Sequence, residues 1–200
     1  MNNNLLICSF VFLFCSNCFG QSDFKDLDNK NTGLVSIIQF SLAKNYEAHQ
    51  VVNIPNIGSR GTDLSVSKSF AKSLNVVLGY FVIPHRLMLG VGLGLDRYEN
   101  PGFNTAPLYG DVRFYWTDER NVPYLNVSLG GLLKLSSDFK PGATARLSLG
   151  YKFFISEKLA FHTDFGYFVK GVYLDGKSRK ESNNDLSIRG VALTIGVNLF

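Results

Sequence analysis

The sequence predicts an all-β protein: a closed antiparallel transmembrane β-barrel of about eight strands, with short turns at one end and longer loops at the other. Three observations predict it. Apolar and polar residues alternate with period two along most of the chain, which marks strands with two unlike faces. Charged residues make up 18% of the 200 residues, against roughly 25% in an ordinary soluble domain. Mean hydropathy is +0.06, yet nothing beyond the N-terminus is continuously apolar for the ~18 residues that a membrane helix needs.

The N-terminus reads as a secretory leader over residues 1–20. Leu5 to Phe14 form a short apolar run, too short to span a bilayer as a helix. Cys18-Phe19-Gly20 puts small residues at the two positions a signal peptidase reads, and Gln21 becomes the new N-terminus. The stretch before the run, Met1-Asn2-Asn3-Asn4, has no Lys or Arg, so the terminal amine must supply the positive charge. Cys8, Cys15 and Cys18 are the only cysteines; a chain cleaved after Gly20 has no disulfide and no thiolate site. Residues 21–33 are a polar lead-in, and the barrel domain covers 34–200.

The clearest strand is Arg86 to Tyr98. Leu87, Leu89, Val91, Leu93 and Leu95 share one face, opposite Gly90, Gly92, Gly94 and Asp96. A helix would scatter those apolar residues and suffer from three interior glycines. The same alternation predicts strands over Leu108 to Trp116, Tyr124 to Leu135, Ala143 to Phe153, Leu159 to Tyr173 and Gly190 to Leu199. Two more are predicted over Leu34 to Ala43 and Leu74 to Val82, the latter with a start as early as Leu64. Short links fall at Pro84-His85, Asp118 to Asn121 and Ser156 to Lys158. Longer polar links fall at Asn45 to Asp63, Glu99 to Ala106, Ser136 to Pro141 and Asp175 to Asn184. That asymmetry suits short periplasmic turns and longer outer loops.

A soluble barrel alternates too, with its apolar face inward. The polar face here is rich in Gly, Ser, Asn and Thr, which suit a cramped lumen. Aromatics gather near strand ends: Phe114, Tyr115, Trp116, Tyr124, Tyr151, Phe153, Phe154, Tyr167 and Tyr173. Interfacial girdles need such amphipathic rings. Both features favour an apolar exterior in lipid.

The segment from Tyr80 to Tyr124 resembles the small outer-membrane β-barrel domain family. It carries the Pro84 turn, the strand Gly90-Val91-Gly92-Leu93-Gly94 ending in Asp96-Arg97-Tyr98, and Asp111-Val112-Arg113-Phe114-Tyr115 before Pro123-Tyr124. The resemblance continues through Gly150-Tyr151-Lys152-Phe153 and covers most of Leu34 to Phe200. It implies an eight-stranded barrel and a location in the outer membrane of a Gram-negative bacterium, and it implies no activity. Such barrels share a terminal aromatic as an assembly signal, and this chain ends on Phe200. Alternation places Phe200 on the lumen side unless a bulge restores the usual face.

The candidate site is the polar face: Asp96, Asp111, Arg113, Lys134, Arg146, Lys152, His162, Asp164 and Lys170. These residues form either an ion path or proton relay, or a paired network that fills the lumen; about eight strands leave room only for side chains, and buried charges must be paired, which favours the network. A lipid-modifying enzyme needs a base beside a hydroxyl, oriented by a carboxylate. His162-Thr163-Asp164 contains all three, but alternation turns Thr163 to the opposite face. His49 with Ser59 in one loop is a generic pairing. No metal-ligand cluster occurs, and Gly90 to Gly94 lies within a strand and cannot cradle phosphate. The net charge of +4 is dispersed, unlike the basic stripe of a nucleic-acid binder. Lys177, Arg179 and Lys180 make one outer loop basic, a candidate contact for lipopolysaccharide phosphates or a partner protein.

The expectation is therefore a non-enzymatic barrel with no cofactor and a structural or surface-interaction role. Its expected partners are outer-membrane lipid and lipopolysaccharide, the outer-membrane assembly machinery, and a protein at the outer loops. Two alternatives stay open: the barrel component of an export or envelope-assembly machine, and a lipid-modifying enzyme.

Overall fold

The computed structural model describes residues 31–54, 58–66, 69–100, 102–174 and 184–200. The expected leader, nearly all of the lead-in, and Lys177, Arg179 and Lys180 lie outside them. Among the described residues the strands are β1 (Gly33–Ile54), β2 (Gly58–Asp63), β3 (Phe70–Ile83), β4 (Leu87–Glu99), β5 (Gly102–Tyr115), β6 (Val122–Leu133), β7 (Gly142–Phe154), β8 (Leu159–Tyr173) and β9 (Asn184–Leu199). All except β2 build the barrel. Each barrel strand pairs antiparallel with the next, and β1 also pairs with β9 from Ser36↔Leu199 to Val52↔Asn184. Eight strands therefore close on themselves, and no backbone edge is left facing lipid.

The barrel is apolar outside and polar within. Along β4, Leu89, Val91, Leu93 and Leu95 are 44–61% exposed, whereas Asp96 is buried. The outward faces of β3, β5, β7 and β9 repeat this with Leu74, Val76 and Leu78, with Leu108, Val112 and Phe114, with Leu147 and Leu149, and with Leu193 and Ile195. Water would penalise this surface at about 25 cal/mol per Å². A hydrocarbon surround removes the penalty, so the belt identifies the solvent as lipid. Tyr80, Phe114, Trp116, Tyr151, Phe153 and Phe161 ring the short-turn end; Tyr46, Phe70 and Tyr167 lie toward the other.

Three of the aromatics expected in these girdles are not there. Tyr115, Tyr124 and Phe154 turn inward and are buried. Parity already placed them on the lumen face, since Tyr115 shares the phase of Arg113, and Tyr124 that of Asn126.

Other expectations shift at the outer end. Asn45 to Asp63 is not a loop. β1 continues to Ile54 and folds back as β2, with His49↔Asp63 to Ile54↔Gly58 in register. β3 starts at Phe70, while Leu64 and Val66 pack on the apolar cluster at the outer mouth. Glu99 to Ala106 is a hairpin, with Glu99↔Gly102 at its tip and Asp96↔Thr105 below. Alternation does not mark these segments because strands above the bilayer have water on at least one side. Apolar-to-polar contrast fades there, and the pairing ladder carries the strands on.

The glycines of β4 make room in the lumen. A Cβ on Gly92 would run into the Tyr109 ring, one on Gly94 into the Asn75 side chain, and one on Gly90 would lie 3.0 Å from Val77 Cγ1. Gly92→Ala must therefore push Tyr109 aside, and is expected to cost about 1–3 kcal/mol. Gly102→Ala, with nothing within 4 Å of its Cβ position, is expected to leave the urea-unfolding midpoint in lipid vesicles unchanged. Equal midpoints for the two variants would refute this account of the glycine run.

Candidate functional site: the barrel lumen and its outer rim

Three tiers fill the lumen. The floor lies at the short-turn end. Val35, Ile37, Val77, Phe81, Met88, Tyr109, Tyr115, Val122 and Tyr124 form one buried cluster, and Phe200 packs on it. Phe200 stacks on Phe154 at 5.0 Å and lies 6.3 Å from Phe81. The β9 ladder runs regularly to Leu199 on its β8 side, so no bulge turns Phe200 outward and the terminal ring plugs the floor. Lys152 sits fully buried among these rings, 4.1 Å from Tyr115, 5.1 Å from Phe154, 5.5 Å from Phe200 and 5.6 Å from Phe81. Its ammonium donates to Asn31 Oδ1. Four ring faces and one amide oxygen stand in for a carboxylate.

The middle tier is ionic. Arg113 Nε donates to Asp111 Oδ1 at 2.9 Å, and its Nη2 donates to Gln39 Oε1 at 2.9 Å. Asp111 Oδ2 also accepts from Asn126 Nδ2 at 2.8 Å and from the Ser128 hydroxyl at 3.2 Å. Arg146 Nη2 meets Asp164 Oδ1 at 2.5 Å and also donates to Thr194 Oγ1. The Tyr124 hydroxyl donates to Asp164 Oδ2 at 2.9 Å. His162 is buried beside Tyr124, with ring centres 6.2 Å apart.

The outer tier begins with Lys170, whose ammonium pairs with Asp96; Thr105 Oγ1 donates to the same carboxylate at 2.7 Å. Above it, Tyr98 stacks on Phe103 at 4.5 Å, and Leu132, Phe168, Val172, Leu186 and Ile188 complete an apolar lid. Between lid and middle tier lies a cavity of about 60 Å³ beside Asp96, Arg146 and Lys170. It has space for a few waters, far below the ~300 Å³ at which ligand pockets begin.

Eight of the nine residues expected on the polar face are placed in the lumen, and Lys134 is not. Parity points it inward, but β6 ends at Leu133 and Lys134 stands exposed on the rim. Gln39, Ser41, Tyr124, Thr105 and Thr194 join the network unforeseen. Parity carried the signal for all but Thr105, which lies in the stretch where contrast fades. It does not specify their partners, because Gln39 and Arg113 are 74 residues apart.

On the outer rim, His49 Nδ1 lies 2.7 Å from Asp63 Oδ1. Ser59 is four rungs away along β2, opposite Asn53, or about 13 Å at 3.3 Å per residue. Ser187 is the cross-strand partner of His49 on β9. The imidazole leans the other way, over Gly61, where a Cβ would lie 2.8 Å from Nε2. On β8, Thr163 points outward and donates to the Thr194 carbonyl, while His162 and Asp164 point into the lumen.

Sequence comparison matched the chain to no family model and to no curated protein. Comparison of structures did find likenesses. The outer membrane protein OprG of Pseudomonas aeruginosa superposes with a TM-score of 0.52 at 10% identity, over 87% of this chain and 98% of that one. Neisserial surface protein A (NspA) follows with a TM-score of 0.44 at 16% identity, over 82% and 96%. The outer membrane protease OmpT of Escherichia coli gives 0.43 at 7% identity, over 88% and 99%. At 10% identity the likeness to OprG establishes the fold and assigns no role. With its closed eight-strand sheet, apolar exterior and charged interior, the chain is a small β-barrel of the bacterial outer-membrane type.

Proposed function

We propose that this protein is an integral outer-membrane barrel, exported by its leader and inserted by the outer-membrane assembly machinery, with a structural or surface-interaction role and no chemistry of its own. The filled lumen carries this reading. Among the described residues an apolar lid, an ion-paired middle and an aromatic floor fill the lumen, and the cavity between lid and middle measures about 60 Å³. The barrel is then a rigid anchor, and contact with the surroundings falls to its outer surface. There the outer halves of β1 and β9 and the whole of β2 form a small sheet, tied by Glu47–Arg189 at 3.2 Å and by Gln50 Nε2 donating to Asn184 Oδ1 at 2.7 Å. This sheet offers the surface for lipopolysaccharide or a protein partner, and Lys177, Arg179 and Lys180, outside the described residues, add basic charge to the sequence between β8 and β9.

Planar-bilayer recording of the purified protein tests the sealed lumen. The expected result is a membrane with no steady single-channel current. Large steady conductance would overturn the anchor reading in favour of an ion path along Lys170, Arg146 and Arg113.

A further inference from the structure

The apolar belt does not end evenly around the barrel. On β6, β7 and β8 it gives way to small or neutral outward residues: Gly131, Ala143, Ala145, Val169 and Gly171. On β3 and β4 it ends abruptly in charge, and on β1 it does so one row higher, at Lys44. Register places Phe40, Leu74 and Leu95 in one row. The next row outward is Leu42, Lys72, Arg97 and Asn104. One step of about 6–7 Å, two residues along a strand, separates a hydrocarbon surface from two adjacent cations.

Lys72 and Arg97 are direct cross-strand partners on the same face. Like charges so placed repel. Glu99 offsets part of this by pairing with Lys72 at 2.7 Å. Lys44 stands one row higher, its ammonium 4.3 Å from the Phe70 ring. The β6–β7 connection folds against β5 here: Lys140 N donates to the Asn104 carbonyl at 3.0 Å, and Phe139 bridges to Asn104. Lys72 and Arg97 thus share one paired carboxylate, Glu99, and the balance of these three side chains is positive. Phe139 walls a cleft of about 310 Å³ whose base is Phe40, Leu74 and Leu95, and whose upper edge is Lys72 and Arg97.

We propose that this cleft docks a phosphorylated glycolipid of the outer leaflet. Its acyl chains run down Phe40, Leu74 and Leu95, and a headgroup phosphate bridges Lys72 and Arg97. The phosphate relieves the repulsion between the two cations through charge-assisted hydrogen bonds, and Phe139 forms the side wall of the cleft. The site rests on the membrane orientation proposed above, with the long connections outside.

The test is native mass spectrometry of the detergent-purified full chain with diphosphorylated lipid A, with the same lipid dephosphorylated, and with inorganic phosphate as competitor. The double variant Lys72→Gln/Arg97→Gln is expected to lose lipid A binding by roughly tenfold or more. The equally discharged control Arg86→Gln/Lys158→Gln, at the short-turn end, is expected to bind as the parent does. Glu99→Gln, which removes the competing carboxylate, is expected to bind more tightly. Heat-modifiable gel mobility reports whether each variant is folded, and Glu99→Gln decides the matter if the double variant is not. Undiminished binding by a folded double variant overturns the site. So does no gain in Glu99→Gln, or equal binding of the dephosphorylated lipid. Displacement by millimolar inorganic phosphate would make it a free-phosphate site instead. Orientation is read separately, by labelling Ser59→Cys on intact cells with a membrane-impermeant thiol reagent. Absent labelling would overturn the orientation while leaving binding in detergent as measured.

Discussion

Asp111→Ala is expected to destabilise the barrel by about 3–5 kcal/mol, because it strands a buried guanidinium. Asp111 and Arg113 have side chains 0% and 1% exposed. The carboxylate takes hydrogen bonds from Arg113, Asn126 and Ser128 at once. Its removal leaves Arg113 with Gln39 and the Tyr124 ring face at 5.5 Å, neither of which carries a negative charge. Asp111→Asn keeps an acceptor and most of the shape, so its loss should be smaller. Adding Arg113→Met to Asp111→Ala should recover most of the loss, since a fully apolar replacement leaves no orphaned charge. Urea unfolding in lipid vesicles, followed by tryptophan fluorescence from Trp116, measures all three. A double variant no more stable than Asp111→Ala would show that the pair contributes by shape, not by mutual neutralisation.

Val91→Arg is expected to cost about 2–4 kcal/mol, the penalty for a cation at the bilayer midplane. Val91 is the central member of the outward row from Leu87 to Leu95 and is 61% exposed. In a water-soluble barrel this substitution would be nearly neutral. The same experiment therefore measures both the size of the effect and which solvent the outer face meets. Arg at position 97, where the chain already has it, lies beyond the apolar rows and should not carry that penalty. Folded and unfolded fractions in vesicles, separated by gel mobility without boiling, give the comparison. A Val91→Arg protein as stable as the parent would mean that the belt does not sit in hydrocarbon.

Period-two alternation alone determined which side of the wall most residues occupy. A strand has two faces and the chain has two solvents, so the face of Leu93 or Asp164 follows from parity. Alternation also placed the strand Leu159 to Tyr173 at its observed ends, because apolar contrast there persists through the whole bilayer. It failed for Glu47 to Ile54 and for Phe103 to Ala106, where the strand leaves lipid and contrast vanishes. It also misjudged Lys134, whose parity is right for a strand that has already ended.

Only the tertiary structure decided who meets whom inside. Lys170 finds Asp96 at a separation of 74 residues, and Tyr124 finds Asp164 at 40. These pairings depend on the stagger between strands, which closure of the barrel sets and no local pattern encodes. The same holds for the cage around Lys152, built from β3, β5, β7, the terminal Phe200 and Asn31. It holds as well for the adjacency of Lys72 and Arg97. Each is an ordinary end-of-strand cation in the sequence, and only the register of β3 against β4 makes them neighbours.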